Sequence, residues 1–370
     1  MKKKILSLLL VLSSLLALFA TTVYGQDEGQ AVPYSVQALL PDNQVNDQVS
    51  YFDIEMEPGA SQALEVEVFN SSDEEIKVAV ETNFGASNSN GIITYDGSID
   101  EYDESMEAPF DEISRVYEEE MTIGPEDSKR AIVDVDIPEE GFDGQILGGI
   151  FFRLVDGEDE NEDGQAEDEE AGVGFENEYA YVVGVNIVQA DPEENEDDQD
   201  QAGADKKSVD EIDPELELNW AEADLINYQT GVDAEFANKT PVLVEGVNFH
   251  AYVTQAGSED VLYEREVDNF SIGPNNVFKF PVLFNQEPLE PGDYTYHANL
   301  SNEEEDWEFS QDFTITEVQS EELNEQAVEL DDGWNWTAIA IGAIVLVIIL
   351  ILVIVFLPVS YTHLRAHETK

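Results

Sequence analysis

The chain has 370 residues, of which 83 are acidic and 15 basic, and its formal net charge is −68. So large an excess of negative charge repels nucleic acid and anionic lipid surfaces, and we expect neither to be a partner. The chain contains no cysteine, which excludes a disulfide framework and a cysteine nucleophile. Its folded parts must therefore be stabilised by hydrophobic cores alone.

The N-terminus has the layout of a secretory signal peptide. Three lysines follow Met1, residues 5–20 are almost entirely apolar, and Gly25 offers a cleavage point. We therefore predict that residues 1–25 are a signal peptide and that the rest of the chain is exported. An exported protein without cysteine is more typical of a Gram-positive bacterium than of an animal cell surface.

The C-terminal region predicts one membrane-spanning helix. Residues 337–358 carry no charge, and a run of about twenty apolar residues is what a helix needs to cross a bilayer. Trp334 and Trp336 precede the run, as aromatic residues do at membrane interfaces. Residues 319–336 are predicted to be a polar stalk. Because the chain is predicted to begin with a signal peptide and to end with a membrane helix, the part between them is expected to face the exterior. Residues 359–370 resemble translated sequencing-adapter text, and we expect this tail not to be native.

Between the two ends, apolar residues recur with the period of β-strands. Leu64–Val68 and Val247–Val253 both alternate apolar with polar side chains, and Pro, Gly, Asn and Asp separate such runs. No long amphipathic helical pattern occurs outside the predicted membrane span. The fold class is therefore predicted to be all-β, with two tandem immunoglobulin-like β-sandwich domains. Tyr294, directly after a Pro-Gly turn, is in the position of a tyrosine corner.

Two acidic low-complexity stretches divide the chain. Residues 156–170 interrupt a first domain predicted over residues 32–190. Residues 191–212 form an acidic linker to a second domain over residues 213–318. Residues 156–170 and 191–205 contain no large apolar side chain, so both segments are predicted to be solvated.

The two domains share an ordered set of features. An Asn-led turn follows a strand at Asn70 and again at Asn238, and Ile-Gly-Pro opens a strand at Ile123 and at Ile272. A glycine-bearing turn follows about twenty residues later in both domains. We interpret this order as a duplication, with the first domain enlarged by an excursion over residues 83–120.

Several longer strings resemble a known family. These are YFDI at Tyr51–Ile54, NGIITY at Asn90–Tyr95, FDGQILGGI at Phe142–Ile150, IGPN at Ile272–Asn275 and LEPGDY at Leu289–Tyr294. In this order they are similar to the WxL-interacting proteins of Gram-positive bacteria. The resemblance extends from about Val32 to Leu357 and includes the predicted membrane helix.

The resemblance implies a cell-surface protein with a peptidoglycan-binding domain followed by a domain assigned to host-ligand binding. It also implies association with WxL-domain surface proteins and, through the second domain, with host surface proteins. An alternative is a membrane-anchored assembly scaffold for WxL-domain proteins that makes no direct contact with wall glycans. The resemblance supplies no binding residues.

The residue types in this sequence give little support for a catalytic function. Without cysteine, and with only His250 and His297 between the two end segments, the chain offers no Cys/His or Ser/His nucleophile pair. Paired carboxylates can cleave glycan strands, but among 83 acidic residues some pair lies close together whatever the function. We therefore predict a non-enzymatic protein without a resident cofactor.

One segment has the spacing of a calcium-binding loop. Asp159, Asn161 and Asp163 alternate, a glycine follows, and Glu170 occupies the twelfth position. The flanking sequence does not read as two helices, and a segment this acidic matches the pattern easily by chance. Two interpretations stay open, namely a weak extracellular calcium site with these four ligands and a solvated loop.

The candidate glycan-binding residues lie in the excursion of the first domain. Sugar faces stack on aromatic rings, and Asn side chains can bind amides through both donor and acceptor. Asn88, Asn90, Tyr95 and Tyr102 lie outside the strand pattern and are our candidates for a wall-contacting surface. The alternative is that Asn90 belongs to an Asn-Gly hairpin turn and that Tyr95 is a core residue.

Overall fold

The computed structural model describes residues 32–155, 179–190 and 206–328. Strands make up most of the described secondary structure, so the all-β prediction is confirmed. In this part of the chain, no helix is both long and apolar enough to span a bilayer. The predicted signal peptide (1–25), the predicted membrane helix (337–358) and the acidic insertion lie outside the described residues.

The first domain consists of eleven strands and one short helix in the described residues. In chain order these are Tyr34–Leu39 (β1), Phe52–Met56 (β2), Ser61–Asn70 (β3), Ile76–Phe84 (β4), Ala86–Ser87 (β5), Ile93–Thr94 (β6), Phe110–Ile113 (α1), Ser114–Val116 (β7), Glu120–Ile123 (β8), Ser128–Asp136 (β9), Gln145–Leu154 (β10) and Ala180–Gln189 (β11). They form a four-stranded sheet, β1-β3-β9-β7, and a five-stranded sheet, β2-β11-β10-β4-β8. The strands β5 and β6 form a separate hairpin.

The two larger sheets of the first domain enclose one hydrophobic core. Leu64, Val66 and Val68 point inward from β3, while Ile150 and Phe152 point inward from β10. In β3, the residues that alternate with these buried positions face outward, as the alternation in the sequence predicts. All pairings within the two sheets are antiparallel except that of β11 with β2.

The second domain has two further sheets. Its elements are Leu216–Ile226 (β12), Gln229–Asn238 (β13), Val244–Gln255 (β14), Val261–Ile272 (β15), Val277–Lys279 (β16), Val282–Leu283 (β17), Gly292–Ser301 (β18), Asp306–Ile315 (β19) and Glu317–Gln326 (α2). The strand orders are β12-β13-β16, with β17 also on β13, and β15-β14-β18-β19. Their shared core is rich in phenylalanine, and Tyr294 donates a hydrogen bond to the carbonyl of Glu290 at 3.0 Å.

Helix α2 differs from the predicted polar stalk over residues 319–336. The side chain of Thr316 caps the helix, and the hydroxyl of Ser320 donates to the carbonyl of Leu289 at 2.7 Å. The amide of Asn324 donates to the same carbonyl at 3.0 Å. The sequence did not predict this helix because it is attached to the second domain mainly by polar side chains. Leu323 is the one partly buried apolar side chain of the helix that packs on the core.

The two domains contact each other where β10 begins. The amide of Gly144 donates to the carbonyl of Lys207 at 2.8 Å, and that of Gln145 donates to the carbonyl of Pro241 at 2.9 Å. A Cβ on Gly144 would lie 2.2 Å from the Pro241 carbonyl oxygen, so only glycine fits. Lys207 belongs to the predicted linker 191–212, whose last residues therefore pack against the first domain.

The two Asn-led turns are built in the same way. In the first domain, the amide of Asn70 donates to the carbonyls of Ile123 and Gly124, which belong to the Ile-Gly-Pro segment. In the second, the amide of Asn238 donates to the carbonyls of Val242 and Gly273, the latter again within Ile-Gly-Pro. Both asparagines are buried. Each asparagine therefore joins its turn to the strand connection that follows later in the same domain.

Replacing Asn238 by alanine is expected to lower the free energy of unfolding by about 3 kcal/mol. The substitution leaves two buried carbonyl oxygens without that donor, and an unsatisfied buried group costs about 1–3 kcal/mol. Urea denaturation followed by tryptophan fluorescence measures the change. The control is Asn299→Ala on the exposed face of β18, with an expected change within about 0.5 kcal/mol. Equal stability of the two variants would contradict the assigned role of Asn238.

Candidate functional site

An open groove of about 850 Å³ lies on the outer face of the five-stranded sheet. Its floor is formed by the outward-facing positions of β10 and β11, opposite the side that packs into the core. Tyr51 and Tyr95 form parts of its walls, and Leu243 and Glu245 of the second domain also line it. The groove therefore contains residues from both domains.

Two facing glycines lie beneath the two tyrosines of the groove. Gly149 and Gly184 lie directly opposite each other in the pairing of β10 with β11. A Cβ on Gly149 would lie 2.6 Å from Cβ of Tyr95, and one on Gly184 would lie 3.6 Å from Cβ of Tyr51. Each tyrosine therefore lies over one member of the glycine pair. Only at Gly149 is the approach too close for a side chain, and glycine within a strand interior often marks such an approach.

The hairpin that follows β4 positions Tyr95. The side-chain amide of Asn83 donates to the backbone carbonyl of Tyr95 at 2.9 Å. Burial, together with the nearby Tyr51 and Glu245, raises the pKa of Tyr95 to about 12. Its hydroxyl therefore stays protonated well into the alkaline range and remains a hydrogen-bond donor.

Tyr51 is the more accessible of the two rings. It is 41% exposed, and burial raises its pKa, with further contributions from the carboxylates of Asp53 and Glu245. Tyr51 therefore offers both an apolar face and a hydroxyl donor to a molecule in the groove.

The charged side chains in the groove are acidic, and one buried amide oxygen there has no hydrogen-bond donor among the described residues. Asn186 donates from its amide to Asp53 at 2.9 Å, while its carbonyl oxygen is buried and accepts no hydrogen bond from the described residues. Asp96 accepts from Ser98, and this hydrogen bond lowers the pKa of the Asp96 carboxyl. Neither lysine nor arginine occurs among the described residues that line the groove. The groove thus has an excess of negative charge.

Apolar side chains cover the rest of the outer face. Leu147, Phe151 and Val182 project from β10 and β11 away from the core, and Val182 is 41% exposed. The solvent face of an antiparallel sheet normally carries polar residues. Apolar area beside aromatic rings and acceptors is typical of surfaces that bind a ligand with both apolar and polar parts, such as a sugar.

The structure separates the four predicted glycan-binding residues. Tyr95 lines the groove. Asn88 accepts hydrogen bonds from two backbone amides of its own turn, and Asn90 accepts one from Arg265 of the second domain at 2.9 Å. Tyr102 packs edge-on against an aromatic ring and forms a strand bridge to the second domain. Asn90 and Tyr102 thus lie at the contact between domains, and wall contact by these residues stays a prediction.

Sequence reasoning missed the other groove residues. Gly149 follows Gly148 within an apolar run, and Gly184 lies between Val183 and Val185; glycine within an apolar run can indicate close approach of another group. Tyr51 and Asn186 gave no comparable pattern, because their proximity depends on the pairing of β2 with β11.

The predicted calcium ligands Asp159, Asn161, Asp163 and Glu170 lie outside the described residues. Within the described part of the chain, no group of three or more His, Asp or Glu side chains is arranged to hold a metal ion. Weak calcium binding by the acidic insertion therefore stays a prediction.

Two family models match the sequence. One, described as the peptidoglycan binding domain of WxL Interacting Protein, matches residues 34–153. The other, described as the host binding domain of WxL Interacting Protein, matches residues 203–325. Tyr51, Tyr95 and Gly149 fall within the first match, and Glu245 falls within the second.

Comparison with solved structures gives distant similarities. The YadV chaperone has 8% identity and a TM-score of 0.27, covering 76% of this chain and 100% of its own. The Escherichia coli chaperone DraB has 12% identity and a TM-score of 0.26, covering 76% of this chain and 97% of its own. The Pseudomonas aeruginosa CupB2 chaperone has 11% identity and a TM-score of 0.24, covering 70% and 96%. Scores this low support no conclusion about fold or function. Curated proteins give no match.

Proposed function

This chain belongs to the WxL Interacting Protein family, and on that premise we propose that it is a non-enzymatic surface protein that binds peptidoglycan through the groove of its first domain. The observation that carries the proposal is the pair of tyrosines, Tyr51 and Tyr95, that line the groove over the facing Gly149 and Gly184. Sugar rings present C–H faces that pack on aromatic rings, and their hydroxyl and N-acetyl groups can hydrogen-bond to the groove's polar groups.

The remaining parts of the chain complete the proposal. Two immunoglobulin-like β-sandwiches are held outside the cell by a signal-directed export step and a single C-terminal membrane helix. The second domain binds host surface proteins, and the whole ectodomain associates with WxL-domain proteins at the wall. The family matches support the two binding roles. The charge and helix patterns of the two chain ends support the location.

Replacing Tyr51 by alanine is expected to weaken peptidoglycan binding about tenfold. Loss of an aromatic face costs about 1.4 kcal/mol, which corresponds to that factor. Because Tyr51 is partly exposed, the substitution removes contact area without opening a cavity in the core. Co-sedimentation of the chain with insoluble peptidoglycan, at a series of protein concentrations, gives the dissociation constant.

The matched control is Tyr117→Ala. Tyr117 is 79% exposed and lies on the strand connection after β7, away from the groove, so we expect unchanged binding. If the parent chain sediments with peptidoglycan but both variants bind equally well, the groove is not the site. If the parent chain captures a WxL domain yet fails to sediment with peptidoglycan, the scaffold interpretation replaces this proposal.

A further inference from the structure

Glu245 belongs to a bulge in strand β14. Val244 pairs with Ile272 and Val247 pairs with Phe270, so two residues of β14 lie opposite one residue of β15. The second bulge residue, Gly246, has φ of +66°, in the left-handed region that glycine adopts without strain. An inserted residue in a bulge turns a side chain away from the regular alternation. Here the bulge turns Glu245 towards the groove of the first domain.

A contact between the domains lies just before this bulge in the chain. The amide of Gln145, which itself lines the groove, donates to the carbonyl of Pro241 at 2.9 Å. Leu243 and Glu245 follow Pro241 and line the same groove. Glu245 lines the groove together with Tyr51 and Tyr95, and its charge contributes to the raised pKa of both tyrosines.

The carboxylate of Glu245 has no cationic partner among the described residues. The ion pairs of the described chain do not include it, and no lysine or arginine lines the groove within that part of the chain. The second lining carboxylate, Asp96, accepts from Ser98 and likewise has no cation. A ligand that fills the groove must therefore lie against uncompensated negative charge. A carboxylate-rich ligand would be repelled, and one bearing an ammonium group would be attracted.

We propose that Glu245 of the second domain pairs with a primary ammonium group of the peptidoglycan bound in the groove. This inference rests on the proposed function and adds the chemical group that is recognised. Peptidoglycan presents such amines in two places, namely on the diamino acid of its stem peptide and on glucosamine units that lack their acetyl group. The binding site is thus shared by the two domains.

The test compares Glu245→Gln with Glu222→Gln in the full-length chain purified in detergent. Glu222 is an exposed glutamate on β12 and makes no ion pair within the described residues, so it controls for net charge. Co-sedimentation is measured with native peptidoglycan and with peptidoglycan whose amines have been acetylated. A third sample has been stripped of stem peptides by an amidase, which separates the two sources of amine.

Glu245→Gln is expected to weaken binding to native peptidoglycan about fivefold, as for a partly exposed ion pair. Glu222→Gln should bind as the parent chain does. Acetylation should weaken binding of the parent chain by a similar factor and leave binding of Glu245→Gln unchanged. Weakened binding to the stripped sample assigns the amine to the stem peptide, and unchanged binding assigns it to glucosamine.

Equal binding of Glu245→Gln and the parent chain to native peptidoglycan would overturn the inference. If Tyr51→Ala still weakened binding in that case, the proposed function would stand without it. Failure of the parent chain to sediment with any sample would overturn both. If acetylation of the peptidoglycan amines left binding of the parent chain unchanged, the inference about Glu245 would be overturned and the proposed function would stand.

Discussion

Replacing Gly148 by alanine is expected to lower the free energy of unfolding by about 3 kcal/mol, at the upper end of typical costs for overpacking a core. A Cβ at this position would lie 2.2 Å from Cγ of Phe110 and 2.5 Å from its Cβ. Phe110 is fully buried in helix α1, and because the clash includes its Cβ, rotation of the ring alone does not relieve it. The backbone of β10 or the helix must therefore shift.

The control for this substitution is Gly184→Ala on the neighbouring strand. A Cβ there meets Tyr51 at 3.6 Å, an ordinary contact, so we expect a change within about 0.5 kcal/mol. Urea denaturation monitored by circular dichroism measures both variants. A double variant with Phe110→Ala tests the cause, because alanine lacks the Cγ and Cδ1 atoms that would lie 2.2 and 2.3 Å from the added Cβ. Purely additive losses in the double variant would contradict the steric explanation.

The Gly148-Gly149 pair has a structural role within the string FDGQILGGI, one of those that resemble the family. Gly148 faces the core and receives Phe110, whereas Gly149 faces outward and receives Tyr95. Two aromatic rings therefore pack on opposite faces of one strand at adjacent residues. Neither glycine has the left-handed backbone that would require glycine by conformation alone. Space, and not backbone freedom, is the reason for both.

Local patterns predicted the strands well. The alternation in Leu64–Val68 and Val247–Val253 recurs as buried and outward-facing positions of β3 and β14. The period of a strand is set by its own residues, so a short stretch of sequence contains the information. Helix α2 escaped prediction because its attachment uses Ser320 and Asn324, which carry no apolar periodicity.

The groove could not be predicted in the same way. Tyr51 and Tyr95 meet over Gly149 and Gly184 only after β2, β11 and β10 have paired. Glu245 comes from the other domain, and sequence alone does not show how the domains contact each other. Tyr95, which lines the groove, was proposed from the sequence because it lies outside the strand pattern, and that criterion does not identify its neighbours.

The same limit explains why the excursion after β4 was interpreted as a wall-contacting surface. Its Asn-Gly and tyrosine residues are typical of exposed turns and loops. The contacts that bury part of it lie far away in the chain, as Ser87 and Asn276 are 189 residues apart. A Cβ on Gly91 would lie 2.4 Å from the ring of Phe270, so the hairpin packs directly on the second domain.

Replacing Asn276 by alanine is expected to uncouple the unfolding of the two domains. The side-chain amide of Asn276 donates to the carbonyl of Gly85 at 3.0 Å, and its oxygen accepts from the amide of Ser87 at 2.6 Å. The hydroxyl of Ser87 in turn accepts from the amide of Gly273 at 2.7 Å. Asn276 is 1% exposed, so water cannot replace these bonds. Loss of these partners costs about 3 kcal/mol in total, at about 1–3 kcal/mol for each unsatisfied group.

Differential scanning calorimetry distinguishes coupled from independent unfolding. Domains joined by a weak interface move and unfold separately, whereas a buried network of hydrogen bonds makes them cooperative. We expect one transition for the parent chain and two for Asn276→Ala, with the less stable domain melting earlier. Asn299→Ala, on the exposed face of β18, should keep the single transition. One unshifted transition in the Asn276 variant would show that other contacts, such as Lys239 with Asp103 at 2.6 Å, are sufficient to couple the domains.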